Sequence, residues 1–131
     1  MRLALLALLL AAPAPAQETL SASAFAALAE GHTLHFSLDG APFGAEQYFT
    51  GRRSLWRFAD GRCEAGTWTA DGNRICFDYA NGAPPQCWRF RHTAGGLDAA
   101  LVEDGAETGL RLRLSRLDQQ PLACPGPDVG S

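Results

Sequence analysis

Residues 47–91 read QYFTGRRSLWRFADGRCEAGTWTADGNRICFDYANGAPPQCWRFR and hold all three tryptophans and three of the four cysteines. Asp60-Gly61, Asp71-Gly72 and Asn81-Gly82 punctuate the stretch between alternating apolar runs. Asp-Gly and Asn-Gly supply the positive φ angles of tight hairpins, so the stretch reads as an antiparallel meander. Each turn also sets a register, and the register predicts which side chains share a face.

Centred on Asp71-Gly72, the second hairpin sets Trp68 against Ile75, Gly66 against Phe77 and Glu64 against Tyr79. Centred on Asn81-Gly82, the third sets Cys76 against Cys87 and Ile75 against Trp88. Pro84-Pro85 cannot donate to a ladder, so a wider loop over 80–86 is an alternative in which the two cysteines still meet. For the first hairpin a three-residue loop, Ala59-Asp60-Gly61 with Gly61 at the left-handed bulge position, is preferred to a two-residue turn because it puts Trp56 opposite Glu64. Trp56, Trp68, Ile75, Phe77, Tyr79, Trp88 and Phe90 then gather on one face. Arg57, Cys63, Thr67, Cys76, Asp78, Cys87, Arg89 and Arg91 occupy the other. The pattern is an apolar inside and a charged outside.

Upstream, MRLALLALLLAAPAPAQ places one positive charge before an apolar run and a small-residue site ending Ala14-Pro15-Ala16. This is the pattern of a removable export leader, 1–16, with a cut after Ala14 as the alternative. The run falls short of the ~20 residues a membrane span needs. The remainder, 17–131, reads as a single disulfide-bonded β domain with a proline- and glycine-rich tail over 118–131. Its charged residues are ten arginines and 14 acids, with no lysine anywhere, and a mildly acidic surface argues against nucleic acid as a partner. The expected address is the periplasm or the outside of the cell.

Four cysteines in an exported chain favour two disulfides over metal ligation. The registers make Cys76–Cys87 a cross-strand bridge. They set Cys63 against Ala80, which leaves Cys63–Cys124 to pin the tail.

Ser21 or Ser23 caps a short helix through about Ala29, with Phe25 and Leu28 on one face and Gly31 as the stop. Thr33 to Leu38 alternates as a half-buried strand, in which His35 is expected on an exposed polar face beside Thr33 and Ser37. Turn chemistry fills 39–44. Strands then follow over 46–50 and from Arg53 to Phe58, and beyond the meander over 97–103 and 108–117. Seven or eight short strands joined by hairpin-length turns indicate an all-β fold, a small antiparallel up-and-down meander barrel with a short N-terminal helix. A two-sheet sandwich is the second possibility.

The sequence lacks G-x-S-x-G, a P-loop and a dinucleotide fingerprint. His32 and His35 form H-x-x-H, a spacing that sends the rings to opposite faces of a strand, so no metal or cofactor is expected. Glu64 is the acid that the register places among the aromatics. It is either a rim carboxylate with its head group in water or an anchor whose pKa is raised by apolar surroundings. Arg52 is in reach of Trp68 and of an ion pair with Glu64.

Gly66-Thr67-Trp68 resembles the lipocalin G-x-W motif, in which glycine lets the tryptophan close the barrel floor. In lipocalins the motif lies on the first strand, whereas here it lies mid-chain. The short N-terminal helix likewise resembles that superfamily and the related small periplasmic metalloprotease-inhibitor barrels, and the cysteine, glycine and tryptophan spacing from Trp56 to Trp88 is similar to that of small exported bacterial β-barrel proteins of uncharacterised function. The resemblance implies a barrel and an exported address, and it implies no activity. The expected function is therefore binding without catalysis, with Trp56, Glu64, Trp68, Tyr79 and Trp88 as candidate ligand-binding residues. The guest would be a small apolar ligand or, on the rim, a protein partner. An inhibitor of a periplasmic or secreted hydrolase and a structural envelope protein are the alternatives. An interior void of roughly 300 Å³ or more would favour a small ligand.

Overall fold

The computed structural model describes residues 9–12 and 18–125, so the leader cleavage site and the end of the tail lie outside the described residues. One helix, α1 (Ala22–Ala29), precedes eight strands: β1 (Thr33–Leu38), β2 (Ala41–Tyr48), β3 (Arg53–Phe58), β4 (Cys63–Asp71), β5 (Arg74–Asp78), β6 (Gln86–Thr93), β7 (Gly96–Glu103) and β8 (Ala106–Asp118). Every strand is antiparallel to the next, and β1 pairs with β8 to close the barrel. Closure removes the free edges that a sandwich would leave. No described helix is long and apolar enough to cross a membrane.

The first and third hairpins adopt the expected registers, with Trp56 opposite Glu64 and Cys76 opposite Cys87. The second differs. Trp68 faces Phe77 rather than Ile75, because the central pair of the turn is Gly72-Asn73, flanked by Asp71 opposite Arg74. Gly72 takes φ +61° at the first central position, where a type II′ hairpin requires glycine, and Arg74 forms an ion pair with Asp71 across the turn. The slip is two residues, one full side-chain period, so every residue keeps its face while its partners change. Tyr79 consequently packs over Gly66, not beside Glu64.

The first turn of the barrel is also tighter than expected. Asp39 and Gly40 alone make it, both at positive φ, and β2 begins at Ala41. Pro42 is accommodated within β2 because the β1–β2 register shifts beside it, and a bulge tolerates a residue with no N–H to donate. The helix is capped by Ser21, whose Oγ accepts from the Ala24 amide at 3.1 Å. Its Phe25 is fully buried in one end of the barrel, with ring centroids 4.6 Å from Phe90, 5.2 Å from Trp68 and 5.4 Å from Tyr48. A two-turn helix is not stable alone, and this contact is what holds it.

Both expected disulfides, Cys63–Cys124 and Cys76–Cys87, are present, and such bonds are compatible with an oxidising extracellular compartment. The tail has more anchors than Cys124. Thr33 donates its hydroxyl to the Gln120 carbonyl at 2.8 Å, and the Leu122 amide donates to Gln47 Oε1 at 2.9 Å. The tail thus straps the outside of β1–β4 and buries Thr33, which the alternation placed on an exposed face. His35 beside it is only half-buried, with Nε2 3.1 Å from Asp118 Oδ2.

Candidate functional site

The barrel interior is divided by depth. At the helix end Phe25, Leu34, Tyr48, Trp68, Ile75 and Leu97 pack as a solid core. Toward the opposite end the inward faces carry further aromatics, among them Phe43, Trp56, Phe58, Tyr79 and Trp88. They surround a cavity of about 320 Å³, whose mouth lies under the loop that follows β5, at Asn81, Ala83 and Pro84.

Four of the five candidate residues, Trp56, Glu64, Tyr79 and Trp88, line this cavity. Trp68 does not. It is 5 % exposed, packed edge-on against Phe25, and its outer ring is covered by the Arg52 guanidinium 4.8 Å away. Arg52 therefore stacks on Trp68 and makes no ion pair with Glu64. Glu64 itself is half-buried at the mouth, where Asn81 Nδ2 donates to its Oε2 at 3.3 Å. The rim position, not the deep anchor, is its place.

The deep acid is Glu46, which the sequence reading left unassigned. It lies on β2 opposite Trp56, which in turn lies opposite Glu64, so the three form one inward rung across β2, β3 and β4. Glu46 is 2 % exposed. Tyr79 Oη donates to its Oε2 at 2.9 Å and to its Oε1 at 3.1 Å. Burial pushes the Glu46 carboxyl up to about 8, since ionising it there forfeits hydration. The hydroxyls of Ser54 and Tyr79 pull the other way, although Ser54 Oγ makes no well-formed hydrogen bond. Tyr79 and Tyr48 are both raised, first by burial and then by the Glu46 charge. At neutral pH the rung thus holds a neutral carboxylic acid at depth.

Two glycines make room for this arrangement. A Cβ on Gly44 would lie 2.2 Å from the Trp56 ring, and one on Gly66 would lie 2.7 Å from the Tyr79 ring. Phe43 and Phe58 both pack against Trp56, with centroids at 5.9 and 6.1 Å, and Tyr79 stacks on Phe77 at 6.3 Å.

No group of three His, Cys, Asp or Glu is placed to hold a metal among the described residues, and His32 and His35 are engaged separately by the Glu30 carbonyl and Asp118. Comparison with protein-family models, curated proteins and solved structures returns no match.

Proposed function

We propose that this chain is an exported, non-catalytic binding protein whose guest is a small, largely apolar molecule held in the open half of the barrel. The observation that carries the reading is the cavity of about 320 Å³ walled by aromatic side chains, with the Glu46–Tyr79 pair as its buried polar feature. Small-molecule sites have this composition, an apolar wall with a few placed polar groups, and this range of volume. The Tyr79 hydroxyl holds the Glu46 carboxyl in place, so the pair offers a guest a polar group at a fixed position. The periplasm or the extracellular space is the proposed address, consistent with the leader-like N-terminus and both disulfides. The lipocalin-like resemblance of Gly66-Thr67-Trp68 supports the architectural half of this reading: Trp68 and the Phe25 helix close one end and leave the other for a guest.

Titration with a neutral naphthylamine dye, N-phenyl-1-naphthylamine, tests it. Saturable one-to-one enhancement of dye emission is expected. It should be lost when Ala99→Phe, at a cavity-lining position, fills the void in a protein that keeps its far-ultraviolet spectrum. Non-saturating enhancement, or enhancement unchanged by Ala99→Phe, would contradict the reading.

A further inference from the structure

The charge of the cavity wall narrows the class of guest, given that the cavity is a ligand site. Among the described residues two carboxyl groups, Glu46 at depth and Glu64 at the mouth, line it, and no arginine or histidine does. The two acids flank Trp56 on either side of the same rung. The nearest arginine along the chain, Arg57, points to the opposite side of the sheet, into an outer groove with His35 and Arg116. A carboxylate guest would enter beside two acids with no cation to pair with, which is costly in a low-dielectric site. An ammonium guest would meet both acids, and the Trp56 and Trp88 indoles that line the cavity add the aromatic ring type best suited to cation–π attraction. We infer that the cavity selects organic cations: a compact apolar body carrying one ammonium group, with the charge directed to the Glu46 side of Trp56.

Proton release follows from this pairing. Glu46 is mostly protonated at neutral pH, and a cation binds its ionised form, so each guest bound near pH 7 displaces one proton. The groups that face Glu46 are Tyr79 and Ser54 with Tyr48 and Glu64 nearby, none of them basic, so no neighbouring cation cancels the effect.

Three probes on one skeleton, 3-phenylpropylamine, 3-phenylpropan-1-ol and 3-phenylpropanoate, separate charge from shape when titrated into the disulfide-bonded protein and followed by tryptophan emission. The amine is expected to bind about tenfold or more tighter than the alcohol, with the acid weakest. Glu46→Gln should shrink the amine's advantage over the alcohol severalfold, leaving only the part contributed by Glu64 and the two indoles. Independently of any variant, amine affinity relative to the alcohol should rise by up to about tenfold per pH unit from pH 6 toward 8 and then level off. Equal binding of amine and alcohol, tightest binding by the acid, or an amine-to-alcohol ratio flat with pH would overturn cation selection while leaving the cavity reading intact. Binding by none of the three, together with no dye binding, would overturn both.

Discussion

Tyr79 Oη and the Glu46 carboxyl meet across the barrel interior, at 2.9 and 3.1 Å, from strand β2 to the end of β5 with two strands between them. This tie lies deep in a wall made mostly of aromatic and aliphatic side chains. It joins the acid that burial keeps protonated to the ring that packs over Gly66.

A pH dependence of stability follows. Glu46 ionises at its ordinary value of 4.5 in the unfolded chain and at about 8 in the folded one, so between those values the folded state holds the extra proton. Stability from this group is therefore lost as pH rises through that window. The melting temperature of the wild type should fall from pH 5 to pH 8 relative to Glu46→Gln, whose curve should be flatter. Glu107, lowered by Arg91, and Asp118, lowered by the Gln120 amide and then His35, act in the opposite sense and only as pH falls through the carboxylate range. A parallel pair of melting curves would remove Glu46 as the cause.

The tryptophans should divide by depth. Trp68→Ala empties a buried site against Phe25 and is expected to cost about 3–5 kcal/mol in urea unfolding. Trp56→Ala lies on the cavity wall, half-buried, and should cost less stability while weakening dye binding the more of the two. The reverse ordering in both measurements would place the cavity at the wrong end of the barrel.

Removing the long-range bridge should matter more than removing the short one. Cys63–Cys124 spans 61 residues and Cys76–Cys87 spans 11. The chain-entropy account gives roughly 4 and 3 kcal/mol for loops of these sizes. Paired alanine replacements, compared by denaturant midpoint, should rank in that order. The long bridge also holds the strap over Thr33, so its loss should speed proteolysis of the tail.

Adding a single methyl at Gly44 should be damaging out of proportion to its size. The Trp56 ring stands 2.2 Å from the added atom and the Arg57 carbonyl 2.9 Å, so Gly44→Ala must displace the ring or the strand. A loss of about 1–3 kcal/mol together with weaker dye binding is expected. An unaffected variant would mean that the Trp56 side chain is free to move aside.

Much of this fold was legible locally. Asp60-Gly61, Asn81-Gly82 and the alternation around them place Trp56 inside and bring Cys76 to Cys87 with no knowledge of the distant chain. The Asp71-Gly72 register differs because a dipeptide does not state which residues are central; Gly72 takes the first central position at φ +61°, with Asp71 opposite Arg74. Faces survived the slip and partners did not, which is why Tyr79 was placed inside correctly but beside the wrong acid. Glu46 was missed although a signal existed. The turn before β3 uses Gly51 and Arg52, both at positive φ, and arginine there is no turn marker. Once Trp56 is inside, however, the residue opposite it on β2 must be inside as well. Whether the aromatics fill the barrel or leave a void depends on summed ring volumes and on the Phe25 plug, which no local pattern records.

The three indole N–H resonances offer the most direct test of the central claim, that the open half of the barrel is a guest site and the helix half is solid core. In a ¹H–¹⁵N correlation spectrum titrated with the naphthylamine dye, the Trp56 and Trp88 indole signals should move together and saturate at one equivalent, while Trp68 stays in place. Movement of Trp68 alone, or no movement of any indole at dye concentrations that saturate emission, would contradict it.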